Sequence, residues 1–188
     1  SRSKSEFAYL CIDLDNFKNI NDTLGHDVGD ELLMMIAGIM QDVIRDYDII
    51  ARVGGDEFVV VLNRYQNHIE LNHIIQRIIV KLTEIHMVRT YPVRTSASIG
   101  VAFYPKDGTD ARTLLKNADI AMYEAKKSGK NQIHYFTESL HQTILAEVEL
   151  ENDLRTALKN QEFELYYQPK VDVDSGRIIG AESLVRWH

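Results

Sequence analysis

Two short stretches place carboxylates where phosphoryl chemistry needs them. In "CIDLDNFKNIND", Asp13 and Asp15 follow a strand-like apolar run; in "ARVGGDEFVVVL", residues 51–62, Asp56 and Glu57 follow Gly54 and Gly55 at the entry to a second such run. A glycine pair between two β-branched runs marks a tight turn, since both positions accept positive φ. Carboxylates at a strand end and at a neighbouring turn of one sheet offer the oxygen ligands that hard cations such as Mg²⁺ require. Two such ions would clamp a transferring phosphoryl group and activate a hydroxyl nucleophile. Either pair alone reads equally well as a solvated turn, so the force lies in their combination.

The elements that position these residues follow from hydrophobic periodicity. "FAYLCID", residues 7–13, reads as a buried strand, and "DVGDELLMMIAGIMQDVIR", 27–45, as an amphipathic helix. "DIIARV" and "EFVVVL" form a hairpin around the glycine pair, and 67–86 reads as a second helix. A strand over 93–105 stops at Pro105; a third helix covers about 111–128 and closes at Gly129; "NQIHYF" is a last strand. Strands and helices in this order predict an α+β layout with one sheet and helices against it. Residues 138–160 have no glycine or proline and read as a connector helix, after which 163–188 reads as two strands joined at "DSG". That hairpin lacks the rest of its domain, so the chain is expected to be part of a longer protein.

Composition narrows the class. The 188 residues are 45% hydrophobic, with 28 acidic against 21 basic side chains and a net charge of -7, which argues against binding nucleic acid by broad phosphate neutralisation. Cations for an anionic ligand must therefore be local, and Lys18, Lys126, Lys127 and Lys130 are the candidates. Cys11 stands alone, so no internal disulfide is possible and a cytoplasmic location is expected. No apolar run approaches the ~20 residues of a membrane span, which leaves a membrane anchor only to an upstream region of a longer parent. "KSGKN" is not a phosphate-binding loop of the Walker A kind, since no glycine stands five residues before Gly129.

Four blocks in order, "DLDNFKNINDTLGHDVGD", "RVGGDEF", "SIGVA" and "YEAKKSGKN", resemble the GGDEF family of diguanylate cyclases, which condense two GTP into cyclic di-GMP. The resemblance covers about residues 7–136. It implies a five-stranded sheet with surrounding helices, like the nucleotidyl cyclases and the polymerase palm. It also implies two Mg²⁺ (or Mn²⁺) ions per active site, on Asp13 and Asp56 with the Leu14 carbonyl assisting. Glu57 then resembles the acid that helps bind metal or deprotonates the attacking ribose hydroxyl. Lys18 matches a phosphate contact, Phe17 lies beside it in the substrate-binding stretch, and Lys126 and Lys130 match the terminal-phosphate positions. Asn21 and Asp30 match the guanine-reading pair, with His26 near the base or ribose; a carboxylate can accept from guanine N1–H and N2–H₂, which adenine lacks. Gly54 and Gly55 would let backbone approach the phosphates. "RDYD" matches the inhibitory RxxD site, with Arg45 and Asp48 binding the product. Catalysis in the family requires a homodimer.

The last stretch, "YYQPKVDVDSGRIIGAESLVRW", resembles the start of an EAL phosphodiesterase domain, with Glu182-Ser183-Leu184 in place of its name-giving triplet. Domain bounds on this reading are 1–137, 138–160 and 161–188. The family's "DxLTGLPNR" signature, which precedes the first strand, is not in this sequence, so part of one sheet face is expected to lie uncovered. Beside the cyclase stands a second reading: a GTP- or cyclic di-GMP-binding domain that regulates a GGDEF-EAL phosphodiesterase.

Overall fold

A computed structural model of the chain describes residues 6–188. These fall into two units, residues 6–141 and 142–188.

The first unit is built on a five-stranded sheet of order β2-β3-β1-β6-β7. Its central strand is β1 (Phe7–Asp15), flanked by β3 (Glu57–Asn63) and β6 (Ser96–Tyr104), both antiparallel to it. β2 (Ile49–Gly54) forms the outer arm of the hairpin, and β7 (Ile133–Tyr135) runs parallel to β6. Alternation along β1 sends Ala8, Leu10, Ile12 and Leu14 to one face and Cys11, Asp13 and Asp15 to the other. On the first face the strand residues meet α2 (His26–Val43) and α3 (His68–Thr83). Helix α2 presents Val28, Leu32, Ile36, Met40 and Val43 at helical spacing, and all are buried. Leu10 and Ile12 are fully buried, so truncating either to alanine costs about 2–5 kcal/mol.

The second face is covered by α4 (Ala111–Lys127), started by Asp110, whose side chain accepts from the Thr113 amide at 2.9 Å. Gly100 in β6 explains how closely that helix lies. A Cβ there would stand 1.9 Å from the Ala118 carbonyl oxygen and 2.2 Å from the Met122 nitrogen. Beyond α4 on this face, Phe7, Tyr9, Val61 and Tyr104 stay partly exposed along an apolar groove of about 190 Å³.

Two segments differ from the sequence-based expectation. A short helix, α1 (Phe17–Leu24), precedes α2, and Gly25 at φ 91° divides them. "FKNINDTL" buries only Phe17, so it carries too little apolar periodicity to announce itself. The strand expected over 93–105 is two strands: β5 (Tyr91–Arg94) pairs with β4 (Ile85–Val88) in a separate ribbon, and β6 starts at Ser96. β4 also takes the last residues of the expected 67–86 helix. Alternation alone does not reveal where a run leaves one sheet for another.

In the second unit, helix α5 (Glu138–Asn160), which begins in the first unit, leads to the antiparallel hairpin β8 (Phe163–Val171) and β9 (Ile178–Trp187). The turn between them is closed by the Asp172 carboxylate, which accepts from the Ser175 amide at 2.7 Å. Among the described residues, no helix is long and apolar enough to cross a membrane.

Candidate functional site

Pairing register assembles the acidic edge. Asp13 lies opposite Glu57 in the β1–β3 ladder, and the Leu14 amide donates to the Asp56 carbonyl at 3.3 Å, so the hairpin turn sits against the end of β1. The register shifts between Arg52 and Gly54, a bulge that turns the end of β2. Gly55 has φ 42°, and Arg52 Nε braces its carbonyl at 2.8 Å. A Cβ on Gly54 would meet no protein atom within 4 Å. Protein packing therefore does not demand glycine there, whereas close approach by a ligand would.

The other face residues of β1 complete the picture from α4. Lys126 Nζ stands 2.7 Å from Asp13 Oδ2. Burial pushes the Asp13 carboxyl above the usual range, Lys126 pulls it back, and Asp56 and Glu57 push it up again. Next to this pair opens a cleft of about 290 Å³ whose walls include Asp13, Leu14, Phe17, Lys18, Asp56 and Lys130. With Asp15 and Lys126, which also line it, eight of the sequence-nominated residues thus meet in one place. Glu57 is exposed at the rim, and Lys18 and Lys130 are exposed.

Asn21 and Asp30 sit on neighbouring helices, α1 and α2. Asn21 Oδ1 is buried without a hydrogen-bond partner, and a Cβ on Gly29 would stand 1.8 Å from it and 3.1 Å from the Phe17 ring. Gly29 thus leaves the space that Asn21 fills, a role that spacing did not reveal. Asp30 and His26 are exposed. Arg45 and Asp48 lie away from the cleft, before β2, whose far end carries the turn; Gly54 is five residue steps along the strand from Ile49, roughly 17 Å. Both oxygens of Asp48 are engaged, by the Arg45 amide at 3.1 Å and the Asn63 amide at 2.7 Å. The Arg45 guanidinium is paired with Glu70 and the Tyr47 hydroxyl.

Asp15 departs from its sequence reading as a candidate cation ligand. Its carboxylate faces Ser96, Ser98 and the Asn131 amide instead of the cleft's carboxylates. Among the described residues, no three His, Cys, Asp or Glu side chains are already gathered about a metal position. The donors at the edge still suit a hard divalent cation, being carboxylates and one main-chain carbonyl around a buried Asp13 that holds a cation, Lys126, as its neighbour.

Comparison with known proteins identifies the family and the fold. The family described as "Diguanylate cyclase, GGDEF domain" matches residues 1–132, and the EAL domain family matches residues 151–188. The cyclic di-GMP phosphodiesterase NbdA of Pseudomonas aeruginosa is 39% identical over 180 residues, 96% of this chain and 23% of its own. MucR of the same organism, a bifunctional diguanylate cyclase/cyclic di-GMP phosphodiesterase, is 39% identical over 186 residues, 99% of this chain and 27% of its own. The chain thus spans about a quarter of the length of these relatives. A truncated TpbB (YfiN) from P. aeruginosa comprising only the GGDEF domain superposes with a TM-score of 0.72 at 34% identity, covering 76% of this chain and 83% of that one. The chain therefore belongs to the GGDEF domain family, and its GGDEF domain is followed by the beginning of an EAL domain.

Proposed function

We propose that this domain is a diguanylate cyclase that joins two GTP molecules into cyclic di-GMP, releasing pyrophosphate, across a homodimer in which each protomer contributes one nucleotide. One observation carries the reading: β1 and the Gly54–Glu57 turn bring Asp13, Asp56 and Glu57 to one sheet edge beside the Lys126 and Lys130 ammonium groups. A regulatory domain that only sensed a nucleotide would not need that many carboxylates beside phosphate-binding cations.

Asp13, Asp56 and the Leu14 carbonyl would hold divalent cations. When bound, Mg²⁺ or Mn²⁺ supplies Lewis acidity toward the α-phosphate and the attacking 3′-hydroxyl. The chain's own groups do the rest. Lys126 leaves Asp13 for the phosphates as nucleotide enters, and Lys130 and Lys18 add positive charge where the transition state gathers negative charge. Glu57, exposed at the rim and opposite Asp13 in the ladder, is placed to accept the hydroxyl proton. Asn21 and Asp30 read the guanine edge, and Gly54 admits the phosphates next to backbone. Arg45 and Asp48 take the product at a separate site and slow synthesis.

The test is direct. Incubation of the chain with GTP and Mg²⁺, followed by mass detection of cyclic di-GMP, gives product on this reading. GTP binding without product, together with GTP-dependent hydrolysis in the longer parent, supports the alternative of a regulatory domain attached to a phosphodiesterase, the activity in the name of NbdA, while MucR, named for both activities, is equally identical at 39%.

A further inference from the structure

Asp15 is the carboxylate at this edge that the proposed chemistry leaves without a task. It is only 3% exposed. Its Oδ1 accepts from Ser98 Oγ at 2.7 Å, and its Oδ2 accepts from Ser96 Oγ at 2.6 Å and from the Asn131 main-chain amide at 3.0 Å. The serines are neighbours by register, since Asp15 pairs with Ser96 and Asp13 with Ser98. Asn131 comes from the connection between α4 and β7.

That connection needs an anchor. Lys130 and Asn131 have φ of 62° and 49°, a left-handed conformation that non-glycine residues keep only where the surroundings hold it. Lys130 Nζ in turn donates to Asn16 Oδ1 at 2.8 Å, and Asn16 itself has φ 61°. Three left-handed residues are thus gathered at the end of β1. Asp15 is bonded to one of them, precedes the second in sequence, and is one amide away from the third.

We propose that Asp15 is a positioning residue, which fixes the Lys130–Asn131 backbone so that the Lys130 ammonium faces the cleft, and that it is not a metal ligand. The proposal rests on the reading of that cleft as a GTP site. Two carboxylates two residues apart on one strand face then have different tasks set by their neighbours. Asp13 meets an exchangeable cation, while both Asp15 oxygens are turned to fixed donors.

The experiment measures the dissociation constant of the α,β-methylene analogue of GTP, with Mg²⁺, for the full chain and for Asp15→Ala, Lys130→Ala, their double variant and Asp15→Asn. Each alanine variant is expected to bind about 10-fold more weakly, and the double variant no more weakly than Lys130→Ala, because a residue that acts through Lys130 adds nothing once Lys130 is gone. Asp15→Asn is expected within about threefold of the parent, since its amide oxygen accepts from Ser96 and Asn131 while its NH₂ donates to the Ser98 hydroxyl, which can turn. Amide exchange at Asn131 in the nucleotide-free chain is expected to quicken at least about 10-fold in Asp15→Ala and to hold in Asp15→Asn.

Equal weakening by Asp15→Ala with and without Lys130 overturns the proposal, as does unchanged exchange at Asn131. A loss of about 10-fold in Asp15→Asn makes the charge itself essential and also overturns it, and this arm, read against the parent chain, stands even where Asp15→Ala does not fold. A parent chain that binds no analogue sinks the GTP reading and the nucleotide half of the proposal with it, while Asn131 exchange still decides whether Asp15 holds the backbone.

Discussion

The Lys126 ammonium lies 2.7 Å from Asp13 Oδ2, so a helix residue from α4 is the counter-ion of the carboxylate at the end of β1. The two partners are unequal: the Asp13 side chain is 11% exposed and that of Lys126 35%. Lys126 can swing into water at little expense, whereas Asp13 stays where the sheet puts it. Burial raises the Asp13 pKa, and the nearby Asp56 and Glu57 add to that against the pull of Lys126. The folded state therefore binds the Asp13 proton more tightly than the unfolded chain does. Stability tied to this group is present below the ordinary carboxylate range and is lost as pH rises through the raised folded value.

Asp13→Asn is accordingly expected to melt higher than the parent chain at pH 7, by on the order of a few degrees, with the gap closing as pH falls toward 4. Cyclic di-GMP synthesis is lost at every pH. Thermal unfolding of both proteins across that range checks the sign, and a variant that melts lower at pH 7 would show that the Lys126 pair outweighs burial.

Asp56 belongs to a turn and only partly to the interior. Asp56→Ala should leave the melting temperature within roughly 4 °C of the parent, the usual range for a surface change. Turnover should nevertheless fall by at least about 100-fold, since a carboxylate proposed to hold the divalent cations is removed. Steady-state assays with GTP and Mg²⁺ decide it, and full turnover in this variant would end the assignment of the acidic turn.

Two glycines separate stability from recognition. At Gly100 an added Cβ meets the Ala118 oxygen and Met122 nitrogen of the α4 backbone, which cannot step aside, so Gly100→Ala is expected to destabilise by about 3 kcal/mol or more. At Gly29 the obstructing atom is the end of the Asn21 side chain, which can move. Gly29→Ala should melt near the parent yet bind GTP more weakly and lose part of its preference over ATP, because Asn21, proposed to read the guanine edge, is displaced. Denaturation curves and competition binding on both variants test the contrast.

These glycines also show what the sequence could and could not disclose. Periodicity located the sheet's central strand and the main helices, because each buries a continuous apolar stripe, whereas the connector helix was legible as an unbroken run without glycine or proline and buries only Ala157. The acidic turn was legible because glycine, aspartate and glutamate stand together between two β-branched runs. Helix α1 and the β4–β5 ribbon were not, since a one-residue break at Gly25 or Thr95 carries no periodic signal. Asp15 was read with Asp13 because strand alternation gives both the same face. What separates them is the partner across the sheet or the next loop, 81 to 116 residues away along the chain, and no local pattern encodes that.

Cys11 lies under α4, 5% exposed, with its thiol 3.9 Å from the Leu115 carbonyl. Burial, then the charges of Asp119 and Glu57, push the thiol up to about 12. The reactive thiolate is thus scarce at neutral pH. Iodoacetamide at pH 8 should label the folded chain at least about 100-fold more slowly than the chain in denaturant, and labelling should track unfolding as denaturant is raised. Fast labelling of the native chain would show that the strip of sheet beside α4 opens locally.

Glu70 holds the Arg45 guanidinium, which the proposed product site would use. One of its oxygens accepts from Arg45, and the other accepts from the Gln66 amide at 2.6 Å, while its own amide donates to Asn67 Oδ1 at 2.9 Å in a reciprocal cap at the start of α3. On that proposal, cyclic di-GMP binding through Arg45 would displace this carboxylate, so an anion already in the protein would compete with the product's phosphate. Glutamine serves the cap as glutamate does but carries no charge. Glu70→Gln is therefore expected to bind cyclic di-GMP roughly 2–5-fold more tightly, the range of an exposed ion pair, with the gain shrinking as salt is raised, and Arg45→Ala is expected to abolish binding at this site. Titration calorimetry at two ionic strengths measures both, and weaker binding in Glu70→Gln would mean that Glu70 orients Arg45 for the product and does not compete with it.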